Sequence, residues 1–478
     1  MLLFANIIFN SFGQVISKMS GNFLFQRIDN SQIVVWRIFF GILMLAEGWG
    51  SIATGWVKET FVDAEFTFSF IGFEWTHFLL GETMYYVYVV LGLLGLMIAL
   101  GAFYKVSSFL FAVGWSLVYF MQKEHYNNHY YLIMLVAWFM VFIPANRYKS
   151  IDVLIWPKIR TNITFYWTRL IFILQLFIVY TFAALAKLYP GWLNGDFLML
   201  RYKGLGHWVD KTIEWQPLTD FVYSREFAQI ISWTGFWFDL LIVPLLLWKK
   251  TRIPAILAAL VFHLINSFTL HIGIFPYFAL AISIFFFPPE TIQRLFFRKK
   301  TSYQPDSYNF QPSYSNRGLF SFVFVVYFLW QIYLPLRHWM IPGDVLWTEE
   351  GHRLSWRMML RTKSGAAMFT VKDKNSGEIF PVNLYDEMTP LQASRIATHP
   401  DMIWQFAQRL KKKYAAEGKQ VSVHANVQIS INGSRYYQQI DPSVDLAMVK
   451  WKYFGHQEWL LESPVDFSSF SQSEAEKN

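Results

Sequence analysis

The stretch "ITFYWTRLIFILQLFIVYTFAALAKLYPGWLNGD", Ile163–Asp196, decides how this chain is read. From Ile163 to Ala186 it carries a single charge, Arg169, over a length that exceeds the ~20 apolar residues needed to cross a bilayer core. It reads as a membrane span, and Lys187 sits at its end. The plain account of such a lysine is snorkelling, in which the ammonium stretches to the headgroups. The other account is chemical. A lysine amine held in an apolar, water-poor pocket is more readily deprotonated and is then available as a base or nucleophile.

Stretches of the same character recur at 33–53, 83–104, 106–121, 130–145, 163–189, 228–248, 253–268, 270–287 and 319–339. The third, seventh and eighth are short. The 478 residues are 54 % hydrophobic and 20 % aromatic with 15 % charged, too apolar for an ordinary soluble surface. The expected fold is a polytopic α-helical membrane protein of about nine spans with a C-terminal extracytoplasmic α+β domain rich in antiparallel strands. The opening "MLLFANIIFNSFGQVISKMS" lacks the basic start and small-residue cleavage site of a signal peptide, so 1–32 reads as an interfacial segment.

The net charge of +8 is explained by topology. With the N-terminus inside, fifteen Lys and Arg fall in inner loops, among them Lys249, Lys250, Arg252, Arg298, Lys299 and Lys300, against six outside. This obeys the positive-inside rule and puts the C-terminal domain outside. No nucleic-acid partner is needed to account for the charge. Cysteine is absent, which excludes disulfides and thiol chemistry.

The membrane domain is expected over 33–343, interrupted by the inner linker 299–318, "KKTSYQPDSYNFQPSYSNRG". From 344 to 465 the composition becomes that of a soluble domain, followed by a polar tail at 466–478. "AAMFTVKDKNSGEIFPVNL" and "QVSVHANVQISINGSRYYQQID" read as hairpins, the second pivoting on Asn432–Gly433. Between them Ile403, Phe406, Leu410 and Tyr414 recur at helical spacing, with Gly418 as the stop.

Four polar features fall at the outer ends of spans: "HYNNHYYL" (125–132), Lys187, "FHLINS" (262–267) and "LHIGIFPYF" (270–278). Polar groups gathered at one depth suggest a shared cavity. His129, His263 and His271 could supply three nitrogens to a metal, but their spacing matches no tight ligand motif and no carboxylate stands beside them in sequence. No metal is therefore expected, and ordinary polar packing of His263 and His271 remains open. Asn127 and Asn128 are candidates to cap the fourth span. Trp167, Tyr180, Trp233, Trp237 and Phe262 would suit a flat lipid-soluble ring such as a quinone, and equally plain lipid packing.

Taken together, "NNHYYL", "AKLYPGWLNGD", "FHLINSFTLHIGIFPY", "LSWRMMLRTKSG", "HPDMIWQFAQRL" and "ISINGSRYYQQIDPSVDLAMVKW" resemble the vitamin K-dependent γ-glutamyl carboxylase family, in a microbial-type form with an HTTM-like membrane domain. The resemblance implies a multi-pass membrane enzyme that oxygenates vitamin K hydroquinone to the epoxide and carboxylates peptide glutamate to γ-carboxyglutamate. Its co-substrates would be O2 and CO2, and its partner a glutamate-containing peptide. It implies Lys187 as the base with His129 as its catalytic partner. Asn128, His263 and Asn266 would bind the quinone or its intermediate, and Arg201 and Lys203 the substrate carboxylate. It places the chain in a bacterial inner membrane with the C-terminal domain periplasmic, or in the endoplasmic reticulum membrane with it lumenal. Animal members tie the two domains by a disulfide; here the tie must be non-covalent. The alternatives are a related membrane quinone oxygenase with another substrate and a non-catalytic peptide-binding membrane protein.

Overall fold

The computed structural model describes residues 23–201, 203–270, 273–301, 303, 316–465 and 467. Most of the 1–32 segment, most of the 299–318 linker, nearly all of the 466–478 tail and His271 lie outside them. The described residues start with β1 (Arg27–Asp29) and α1 (Ser31–Ala53), then α2 (Thr83–Leu100), α3 (Tyr104–Met121) and α4 (Asn128–Phe142). There follow β2 (Ile163–Phe165), α5 (Trp167–Leu185), the short α6 (Asp196–Arg201), α7 (Arg225–Leu247), α8 (Arg252–Leu270), α9 (Phe275–Ile282), α10 (Pro289–Phe296) and α11 (Arg317–Leu336).

Among the described residues seven helices are long and apolar enough to cross a membrane, and an eighth is possible if the bent pair 275–296 counts as one span. The expected nine stretches all become helical, with local corrections. The fourth stops at Phe142 because Ile143, ahead of Pro144, takes an extended conformation. The fifth opens as strand β2, paired antiparallel with β1, so its helix begins only at Trp167 and ends at Leu185. Lys187 thus lies in the turn beyond the helix. The eighth is helical only from Phe275, and just past its end the chain bends by 117° at Pro288–Pro289 into α10.

Close packing needs small residues where helices meet in lipid. A side chain at Gly41 of α1 would run into the backbone of Gly95 and Ala99 on α2. Several charged and polar groups among the spans are paired, as a medium without water favours. Arg37 donates to the carbonyls of Ala145, Tyr148 and Lys149. Tyr130 donates to Glu47 at 2.6 Å. Lys300 is cradled by Asp29, Asn30 and Ser31 at 2.6–2.8 Å.

The C-terminal domain is one antiparallel sheet in the order β4-β3-β5-β6, formed by β3 (Lys363–Asp373), β4 (Ile379–Val382), β5 (Val421–Ile431) and β6 (Tyr437–Gln438). Both expected hairpins are present, and Asn432 and Gly433 adopt φ of 50° and 78° at the second turn. Two helices, α12 (Pro390–Ile396) and α13 (Pro400–Ala416), pack on the sheet. Ile403, Phe406 and Leu410 are fully buried there, while Tyr414 is half-buried beside Phe380.

This domain docks on the loops that join α1 to α2 and α3 to α4; the chain after α11 joins it to the bundle, and without cysteine no disulfide adds to the contact. Lys123 pairs with Asp401 at 2.6 Å, and Arg353 pairs with the same carboxylate. Gln392 donates to the Phe66 carbonyl at 2.7 Å and to Glu124 at 3.1 Å, and Tyr189 donates to the Leu360 carbonyl. Burial alone would raise the Asp401 carboxyl, but Arg353 and Lys123 outweigh it and hold the group well below the carboxylate range. Glu124 has no such balance, and burial pushes its carboxyl up to about 7.

Candidate active site

Helix α5 delivers the chain to the turn at Ala186–Leu188 on the same side as the docked domain, and α7 packs along it. The Lys187 ammonium does not reach for the membrane surface. It turns inward, donating to Asp239 Oδ2 at 2.6 Å and to the Ala183 carbonyl at 3.1 Å. Both side chains are more than nine-tenths buried. The Trp192 ring lies 5.3 Å from the ammonium, a cation–π contact.

The pair lines a cavity of about 130 Å³. His129, from the first turn of α4, stacks on Phe275 with ring centroids 3.7 Å apart. His263 of α8 meets the same phenyl edge-on at 6.2 Å. Its Nε2 lies 3.1 Å from the Tyr180 hydroxyl, and its Nδ1 is buried with no hydrogen-bond partner. A buried polar atom without a partner costs free energy, so this nitrogen is a ready contact for a polar ligand group. Leu132, Leu176, Val179 and Ala279 make the rest of the wall largely apolar. Met358 and Met359 reach in from the C-terminal domain, so the cavity is shared between the two domains.

Of the residues named from sequence, Lys187, His129, His263, Asn266 and Arg201 line this one cavity. Arg201 is exposed at its rim. Asn128 does not line it. Its amide donates to the Arg357 carbonyl at 3.2 Å and accepts from Tyr126 at 2.9 Å, which ties α4 to the C-terminal domain. The N-cap is Asn127, which accepts from the Tyr130 N–H at 2.7 Å. Tyr180 and Phe262 line the cavity, whereas Trp233 and Trp237 face the other side of α7. Trp167 packs on Phe320 at the far end of α5. The side chain of Lys203 lies outside the described residues. Among the described residues no three His, Asp or Glu converge as a metal site.

Sequence reasoning missed Asp239, Tyr180 as a histidine partner, and the two methionines. Asp239 had a signal: it is a lone carboxylate in an otherwise apolar span, which calls for a partner. The methionines had none, because only the docking of the two domains brings them to the cavity.

The helical bundle and this cavity define a multi-pass membrane protein whose residues 25–290 match the HTTM domain, more than half of the chain. Residues 316–466 match the lumenal domain of vitamin K-dependent gamma-carboxylase. The chain belongs to the vitamin K-dependent carboxylase family. Membership carries a carboxylase kind of function and the use of vitamin K hydroquinone. No solved structure matches the chain.

Proposed function

We propose that the protein converts peptide glutamate to γ-carboxyglutamate, coupled to oxygenation of vitamin K hydroquinone, with Lys187 as the residue that takes the hydroquinone proton. The observation that carries this reading is the buried Lys187–Asp239 pair in an apolar cavity that also holds His129 and the unpartnered Nδ1 of His263. These groups suit a flat hydroquinone. Phe262, Phe275 and the imidazole of His129 would border the ring, the Lys187 amine would take a hydroxyl proton, and His263 would meet another polar group.

When bound, the reduced vitamin supplies, through oxygen, a base far stronger than any side chain. The protein's own part is positioning, proton holding and exclusion of water. Lys187 donates a proton in hydrogen bonding to Asp239 across 2.6 Å. With that proton on Asp239, the amine lone pair is free to accept another; with it on Lys187, the pair is the resting ion pair. Tyr180 holds the His263 ring, and His129, fixed against Phe275, borders the reacting face. Arg201 at the rim is placed to meet a substrate carboxylate, and Lys203 follows it in the chain.

The glutamate-containing peptide docks, in this reading, in a groove of about 710 Å³ between α13 and the 66–77 loop, where Lys412 offers positive charge beside Arg409 and Lys413, which pair with Glu65 and Glu387. The loop charges orient this face away from the cytoplasm. The deciding experiment incubates purified protein with reduced vitamin K, oxygen, bicarbonate and a glutamate-rich peptide. Epoxide together with γ-carboxyglutamate supports the reading. Epoxide alone leaves a quinone oxygenase, and neither product removes the catalytic proposal.

A further inference from the structure

Helix α7 has two working faces. One turns Ile231, Gly235 and Asp239 into the cavity, and the other turns Ile230, Trp233, Trp237 and Leu241 into an open groove of about 840 Å³ between α7 and α8. The groove runs from Asn194 and Glu226 at one end of α7 to Leu245 and Ala258 at the other, close to the full depth of the span. Its lining is strongly exposed: Ile230 is 54 % and Trp237 48 % accessible.

The wall between groove and cavity is a pair of rings. Phe238 lines the groove and Phe262 lines the cavity. The two stack with centroids 3.8 Å apart and planes 16° apart. Phe238 also meets His263 edge-on at 6.0 Å. Phenyl rings swing about two side-chain torsions without backbone movement, so this wall can open at low cost. The cavity, at about 130 Å³ against about 840 Å³ for the groove, cannot take a long hydrocarbon chain along with a ring. A chain-bearing ring seated at Lys187 must put its chain elsewhere. The groove is the apolar volume that meets the cavity through this pair.

Building on the proposed hydroquinone reaction, we infer that the α7–α8 groove seats the isoprenoid chain of a membrane-dissolved hydroquinone, and that Phe238 and Phe262 form the gate through which its ring reaches the cavity from the lipid. Lipid-side access also fits the chemistry, since a ring arriving through the bilayer brings no water to a base that water would quench.

The test uses the full chain in lipid nanodiscs and an isoprenoid quinol analogue with a diazirine on its chain. Photolabel on Trp233, Trp237 or Leu241, competed by unlabelled quinol, is the expected result. Ala258→Trp fills the groove without touching the cavity. It should raise KM for a chain-bearing hydroquinone about tenfold and leave KM for the chainless ring unchanged. Label confined to other helices, label on the groove that a phospholipid acyl chain displaces as well as quinol does, or equal KM changes for both substrates would overturn the inference. If neither substrate turns over while competed label still lands in the groove, the binding assignment stands and the carboxylase reading falls.

Discussion

Lys187 Nζ and Asp239 Oδ2 stand 2.6 Å apart, with side chains only 8 % and 9 % accessible. Removing one member of such a pair leaves an uncompensated charge in a medium that cannot solvate it, at a cost of about 3–5 kcal/mol. Asp239→Ala is expected to lower the unfolding midpoint sharply. The double variant Lys187→Met/Asp239→Leu should recover most of that stability, because the pair is replaced by apolar volume, and should remain inactive. Fluorescence-monitored thermal unfolding checks this. Equal destabilisation by the single and double variants would show that the pair carries no coupling.

The domain junction should be pH-sensitive through Glu124. Its folded carboxyl is raised to about 7 against an ordinary 4.5. The unfolded chain therefore gives up this proton first, and stability falls as pH rises from about 4.5 through 7, by roughly 3 kcal/mol at most. Glu124→Gln removes the titration. Unfolding midpoints at pH 5 and pH 7.5 should differ less in this variant than in the parent; an unchanged difference would contradict the assignment.

Orientation can be read with single cysteines, since the chain has none of its own. Ser376 in the C-terminal domain and Lys250 after α7 are both exposed. In right-side-out vesicles an impermeant maleimide is expected to label Ser376→Cys and spare Lys250→Cys. The reverse pattern would invert the topology.

Peptide docking beside α13 should depend on charge. Lys412→Glu is expected to raise KM for a glutamate-rich peptide several-fold, more at low salt than at high, with peptide-free hydroquinone oxygenation unchanged. An unaltered KM at low salt would move the docking surface elsewhere.

Much of this architecture was legible residue by residue. The apolar stretches became helices because lipid admits little else, and Ile403, Phe406 and Leu410 went to the core as their spacing required. Lys187, His129 and His263 stood out as polar groups at the ends of spans, and all three line the cavity. What could not be seen was pairing. Asp239 lies 52 positions beyond Lys187, and no periodicity within one helix reports which neighbour faces it. The family resemblance put Asn128 with the site, yet one step along a helix from His129 turns a side chain by about 100°, and the Asn128 amide goes to the domain junction. Trp233 and Trp237 went to the lipid face of α7 for the same reason.

The central claim is that the Lys187 amine takes a proton from the hydroquinone, and substitution of that one residue tests it most directly. Arginine keeps the charge and can satisfy Asp239, but it cannot give up its proton at working pH. The measurement is epoxide formation by purified Lys187→Arg and Lys187→Ala proteins, with and without a small added amine. Both variants are expected to lose hydroquinone oxygenation and carboxylation together. The amine should restore part of the oxygenation in Lys187→Ala, where a space is left, and little in Lys187→Arg, where the guanidinium fills it. A normally folded Lys187→Arg protein that makes epoxide at the parent rate would contradict the account.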